Sequence, residues 1–258
     1  MTVTGSLQAV VMAGGKGSRM TDLTSGKAKC LLPVGNMPLV WFPLNMLQSA
    51  GFTEALVIVP DSAKQEVSKI PSLYNLSIKL DIVGIPGQQE LGTADSLRLV
   101  SDKLTGTDIV IVSGDLILEE SMRGMVDMHR MNNAAFTAML SKPMFDVKNA
   151  VVPGAKSTKH KKGKKCKHIF FLFCVEERDL IGLAGDQLCL FTAEADVEEE
   201  VKISNKVLRT MARVTVHSDI QVDGIYIILD ITKYSAIRMA TSTSSRSGSV
   251  TTSSMISM

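Results

Sequence analysis

An apolar run from Leu7 to Ala13 stops abruptly at Gly14-Gly15-Lys16-Gly17-Ser18-Arg19, and no other feature of the chain restricts its fold as much. The run lacks polar alternation and carries β-branched residues. It therefore reads as a strand buried on both faces, and so a parallel one within an α/β sheet. Three glycines within four positions let the backbone turn sharply and leave its N–H groups bare. With Lys16 and Arg19 beside them, those N–H groups form a cradle for an anion. A strand feeding a glycine-rich turn is the usual entrance to a nucleotide site on such a sheet. Two better-known loops are excluded. There is no G-x-x-x-x-G-K-[ST], and Met20 stands where G-x-G-x-x-G needs its third glycine. For the glycines alone, a tight surface turn is the competing reading.

Downstream, strand-like and helix-like segments alternate. Strands are expected at 55–59, 78–85, 108–113 and 134–140. Helices are expected at 38–50, with Pro43 as a candidate kink and Gly51 as its C′ residue, and at 62–70, 93–103 and 118–132. This order predicts an α/β fold with a doubly wound, mostly parallel sheet that takes ligands at the carboxyl ends of its strands. Two motifs fall at such ends. Gly92-Thr93-Ala94-Asp95-Ser96 opens a helix, with Thr93 as a candidate cap. Ser113-Gly114-Asp115 closes the 108–113 strand and sets a carboxylate where it could hold Mg²⁺ against phosphates. Taken singly, each has a plainer reading as an ordinary cap or turn.

The longer pattern is more specific. GGKGSRM followed by LTSGKAKCLLPVGNMPL resembles the N-terminal signature of the nucleotidyltransferases that make nucleoside-diphosphate sugars, GGxGTRLxPLTxxxPKPLLPVGNKPL, in register over more than thirty residues. The resemblance implies a nucleotide pocket, here vestigial, built from Gly14, Gly15, Gly17, Arg19, Lys29, Gly92, Thr93 and Asp115. Asp115 is the one candidate metal ligand, and no residue is assigned a catalytic role. Three departures count against chemistry. Proline before the lysine is replaced by Ala28, which should loosen the loop. Asp22 replaces another proline and adds negative charge. The family's second metal aspartate lies well beyond the strand matched by 223–227, and Asp230, the only acid nearby, follows that strand too soon to match it.

RMTDLT, LLPVGNMPLVWFPLN, GTADSLR and EERDLIG followed by FTAEADVEEEV look most like one branch of that family, the gamma subunits of translation initiation factor 2B. That factor is the multi-subunit guanine-nucleotide exchange factor for initiation factor 2. This branch implies a non-catalytic, cytosolic scaffold. Its partners would be the epsilon and other subunits of the complex and initiation factor 2. A nucleotide with Mg²⁺ is then at most a vestigial ligand, and a sugar-1-phosphate nucleotidyltransferase is the alternative. The resemblance also implies a following left-handed β-helix of hexapeptide repeats. None is present, so the chain reads as a truncated form. The expected organisation is a nucleotidyltransferase-like domain over 7–240, with a basic and apolar insertion at 156–175, and a Ser/Thr-rich tail over 241–258. The lysine-rich 157–167 is read as a solvated loop rather than an RNA-binding surface.

Composition adds exclusions. A net charge of +2 over 258 residues names no partner class. The four cysteines show no CxxC pair and read as reduced thiols. No secretory signal opens the chain, and no apolar run is long enough to span a bilayer.

Overall fold

The computed structural model describes residues 7–17, 20–86, 91–119, 121–141, 179–193 and, between short breaks, 197–229. Arg19, the 157–167 lysines, the 156–175 insertion and the 241–258 tail lie outside them. The chain divides into two compact units, one running to Leu140 and resuming at Val222, the other spanning Ser141–Gln221.

The first unit is built on a six-stranded sheet. Its strands are β1 (Leu7–Met12), β4 (Glu54–Pro60), β5 (Lys79–Ile85), β6 (Asp108–Ser113), β7 (Phe136–Ser141) and β11 (Gln221–Leu229), in the order β5-β4-β1-β6-β11-β7. β5, β4, β1 and β6 run parallel and β11 pairs antiparallel to β6. This is the expected doubly wound, mostly parallel α/β sheet. Its apolar strands divide their side chains between two cores. Ala9, Val11, Val57, Val59, Val110 and Val112 join one core with α2 (Trp41–Ser49), α3 (Lys64–Leu73) and α5 (Arg123–Met131). Val10, Leu56, Ile58, Ile109 and Ile111 join the other with α4 (Thr93–Leu99). Both faces are covered, which is why the strands read as unbroken apolar runs. Each fully buried Val, Leu or Ile contributes about 1.5–3 kcal/mol.

The helices end where the chain can adopt a left-handed residue. Gly51 has φ +95°, and Phe52 N–H donates to the Leu47 carbonyl at 3.0 Å. Asn75 and Asn133 play the same part after α3 and α5, and the N–H groups of Leu76 and Ala134 reach back to Pro71 and His129. These are Schellman-type ends, which satisfy the last carbonyls and turn the chain into the next strand.

Several boundaries differ from expectation. The first long helix begins at Trp41 because Met37–Pro38 (β3) pairs with Pro33–Val34 (β2). Pro43 then falls in the first turn, where its missing N–H costs nothing, so no kink is needed. The 62–70 helix is a 3₁₀ turn at Asp61–Ala63 followed by α3. The 93–103 helix stops at Leu99 and resumes as a 3₁₀ turn at Ser101–Lys103. The 118–132 helix begins only at Arg123. The remaining short elements of the first unit include α1 (Thr21–Thr24).

The second unit holds a three-stranded antiparallel sheet, β10-β8-β9, made of β8 (Asp179–Ala184), β9 (Gln187–Ala193) and β10 (Thr215–His217), together with α6 (Asn205–Thr210).

Among the described residues, no helix is long and apolar enough to cross a membrane.

One titratable group is built into the first core. His129 is 2 % exposed. Its Nδ1 pairs with the Thr137 hydroxyl at 2.8 Å, while its Nε2 has no partner among the described residues. Burial lowers its pKa, the Asp108 charge raises it and Arg130 lowers it, with a net depression. The unfolded chain therefore takes up a proton near pH 6.5 that the folded chain refuses. The stability from a neutral His129 is complete above about pH 6.5 and is lost as pH falls below it. Urea midpoints should drop between pH 7.5 and 5.5, and His129→Gln should remove part of that drop. An identical drop in the variant would clear His129 of the effect.

Candidate functional site

β1 and β6 lie side by side with Met12 opposite Ser113 at their carboxyl ends. The chain leaves β1 toward β4 on one side and later returns to β6 on the other, which makes this the switch point of the sheet. Both exits are pinned. Ala13 N–H donates to the Ile58 carbonyl and Gly114 N–H to the Met12 carbonyl, each at 2.8 Å. A cavity of about 220 Å³ opens there. β1 and its loop contribute Met12 to Gly15, and β6 and its loop contribute Ser113 to Asp115. Thr93 and Ser96 come from α4, and Lys29, Cys30, Leu39 and Leu91 complete the wall.

Most of the residues named from sequence meet at this cavity. Gly14, Gly15, Lys29, Thr93 and Asp115 line it. A Cβ on Gly15 would meet no protein atom within 4 Å, so packing does not require that glycine, and its bare backbone faces open space. Gly14 is different, since a Cβ there would lie 2.7 Å from Ile85 Cδ1. Gly17 has φ +69° and serves the turn, its carbonyl accepting from Met20 N–H at 2.8 Å. Gly92, not Thr93, is the cap residue of α4, and its carbonyl accepts from the Ser96 hydroxyl at 2.9 Å.

Lys29 reaches the cavity on a single 3₁₀ turn, Lys29–Leu31. The neighbouring side chains Cys30 and Leu31 are buried, which leaves Lys29 as the residue that faces outward. Leu31 N–H donates to the Ala28 carbonyl at 2.9 Å, and Val40 N–H donates to the Cys30 carbonyl at 2.9 Å. The loop is therefore tied rather than loosened by the loss of proline. Ala28 itself sits at φ −60°, ψ 143°, a conformation proline would also hold.

Lys29 Nζ donates to Asp115 Oδ2, and the Ser113 hydroxyl donates to Oδ1. Burial acts to raise the Asp115 pKa. The Lys29 and Ser113 hydrogen bonds, the Lys29 charge and a backbone hydrogen bond outweigh it, so the carboxyl lies below its ordinary value. The side chains are 26 % and 42 % exposed, so this pair is partly solvated.

The family's chemistry implies a divalent cation at Asp115. The described donor set does not fit one. Both Asp115 oxygens are engaged by protein donors, and Asp115 is the only carboxylate among the described lining residues. No group of three or more His, Cys, Asp or Glu residues gathers anywhere among the described residues. Mg²⁺ is normally held by one or two free carboxylates together with water and substrate phosphates, and here the one described carboxylate is already paired.

Cys30, Ser96 and Ser113 were not chosen as site residues. Each stands beside or within a motif that was, and adjacency was the available signal. Burial, with the Glu66 charge adding to it, pushes the Cys30 thiol up to about 11 against a weaker backbone hydrogen bond. It stays protonated at neutral pH and is no nucleophile.

Residues 8–147 match the family model for nucleotidyl transferases. The chain is 33% identical over 159 residues to translation initiation factor eIF2B subunit gamma of Caenorhabditis elegans, covering 60% of this chain and 38% of that protein. It is 26% identical over 229 residues to the Dictyostelium discoideum gamma subunit, covering 85% and 49%. It is also 29% identical over 137 residues to a mannose-1-phosphate guanylyltransferase of Mycobacterium tuberculosis, covering 53% and 38%. The chain thus spans half or less of the length of these relatives. A crystal structure of a protein assigned as a glucose-1-phosphate thymidylyltransferase from Bacillus anthracis superposes with a TM-score of 0.58. That likeness covers 90% of this chain and 75% of the other at 17% identity, and it concerns the fold alone.

Proposed function

The chain belongs to the nucleotidyl transferase family, and from that premise we propose that it is a non-catalytic scaffold subunit of the translation initiation factor 2B complex. Likeness to gamma subunits over most of the chain supports the assignment. The observation that carries the non-catalytic part is the Lys29–Asp115 pair. Nucleotidyl transfer needs positive charge aimed at the reacting phosphates and a metal held for them. Here the lysine is spent on the aspartate that would hold the metal. In this reading the partners are the epsilon subunit, the other subunits of the complex and initiation factor 2, and the setting is the cytosol.

The test is affinity purification of the tagged endogenous protein with mass spectrometry of what accompanies it. The epsilon subunit should be recovered at near-stoichiometric level. A preparation without it, also when the C-terminal region of a gamma subunit is fused on, would refute the assignment.

The second reading is an active sugar-1-phosphate nucleotidyltransferase. Its support is that Gly15, Thr93, Lys29 and Asp115 meet at one switch-point cavity. It requires pyrophosphate release when the chain is given a nucleoside triphosphate and mannose or glucose 1-phosphate.

A further inference from the structure

Lys29 and Asp115 stand 86 residues apart in sequence and meet across the mouth of the cavity between β1 and β6. The contact is not an incidental surface pair. Lys29 is delivered by a turn whose next two residues are buried, and Asp115 is locked from its other side by Ser113. A carboxylate with one oxygen on an ammonium and the other on a hydroxyl has already satisfied its charge and its strongest acceptor sites. A divalent cation arriving at Oδ2 would have to displace the ammonium or sit against it, with two positive centres on one carboxylate. Among the described lining residues there is no second carboxylate to compensate.

We propose that the Lys29 ammonium is a built-in replacement for the divalent cation, so that the cavity binds a nucleoside polyphosphate without Mg²⁺. The other surfaces suit such a ligand. Gly15 leaves bare backbone at the end of β1, and Met12, Leu39 and Leu91 supply apolar wall beside it. The ligand's phosphates meet Lys29 from the side that Asp115 leaves open, and the pair holds the ammonium in place. This deepens the non-catalytic reading of the same cavity and rests on it. A cavity that binds a polyphosphate without the metal required to polarise it retains a ligand and does not turn it over.

The experiment uses the full chain and two probes. Mn²⁺ alone is followed by electron paramagnetic resonance, and guanosine 5′-triphosphate is followed by calorimetry in EDTA and in Mg²⁺. Wild type should show no saturable Mn²⁺ site below about 1 mM, because the Asp115 carboxylate is already held by Lys29 and Ser113. Lys29→Gln should weaken the triphosphate about tenfold in EDTA and regain most of that loss in Mg²⁺, because the ligand's own phosphates then help Asp115 hold the cation. The dissociation constant of the triphosphate on wild type should agree within about twofold between EDTA and Mg²⁺.

One Mn²⁺ bound by wild type and abolished by Asp115→Asn would overturn the proposal. So would a folded Lys29→Gln that binds the triphosphate in EDTA as tightly as wild type, a wild-type triphosphate affinity that tightens about tenfold with Mg²⁺, or no triphosphate binding to wild type in EDTA. The wild-type measurements decide even if a variant fails to fold. Loss of the epsilon subunit in purification would fail the assembly reading while leaving these results intact.

Discussion

Gly114→Ala should destabilise the first unit by about 3 kcal/mol, at the upper end of what overpacking a well-packed site costs. The added Cβ would lie 2.5 Å from Ala13 Cβ, 2.7 Å from Ala13 Cα and 2.9 Å from the Met12 carbonyl oxygen. Two of those three atoms are backbone, so no side-chain rotation can relieve the contact. The β1 and β6 exits would have to part, and the Gly114 N–H to Met12 carbonyl bond at 2.8 Å would go with them. Met12 and Gly114 both line the cavity, and Asp115 follows directly, so the same change should misplace Asp115 relative to Lys29. Urea unfolding gives the stability, and the companion variant is Gly15→Ala. Gly15 is three residues past β1, on the loop that carries Ala13, yet a Cβ there meets nothing within 4 Å. Its midpoint should stay within about 0.5 kcal/mol of wild type, as for a surface change. Equal losses at the two glycines would mean that the loops are not as closely apposed as described.

Leu44→Ala should cost about 2–5 kcal/mol, the range for emptying a buried leucine site. Leu44 is 0 % exposed in the core that Val11, Val57 and Val112 build beneath α2. Pro43 and Leu47 are buried beside it, so α2 is held by this face. The consequence reaches the site. α2 is anchored to the lysine turn through Val40 N–H and the Cys30 carbonyl, at 2.9 Å. A loosened α2 gives Lys29 room to leave Asp115. The matched control is Leu73→Ala at the end of α3, where the side chain is 69 % exposed and should matter by no more than about 0.5 kcal/mol. A Leu44 variant with wild-type thermal and urea midpoints would remove this core from the account of stability.

Much of the first unit is legible in the sequence. Val10, Val11, Ile109, Ile111 and their neighbours announce a sheet buried on both faces, because only strands covered on each side dispense with polar alternation. Gly51 announced a helix end because left-handed backbone there favours a residue without Cβ. Gly14, Gly15, Lys29, Thr93 and Asp115 were all named in advance and all reach the cavity wall.

The second unit was not seen. β8 and β9 mix polar and apolar residues on a small sheet, so they lack the unbroken apolar run that marks β1 and β6. Gly185-Asp186 between them, with Gly185 at φ +62°, was a usable hairpin signal that went unread. Two helices also start later than the apolar spacing from Pro38 and Leu118 suggests, at Trp41 and Arg123. The chain there forms a strand pair in one place and a loop in the other, and apolar spacing alone does not separate these from helix.

What the amino-acid order determined by itself was the menu of local structure and the chemical types available at the strand ends, because both depend on neighbours within a few residues. Only the tertiary structure decided which charge meets which. Lys29 and Asp115 each carried a separate expected role, one toward phosphate and one toward metal. Parallel pairing of β1 with β6 brings their loops together and lets the two charges meet each other. That pairing is set by long-range burial in the two cores, and it turns two binding groups into a closed pair.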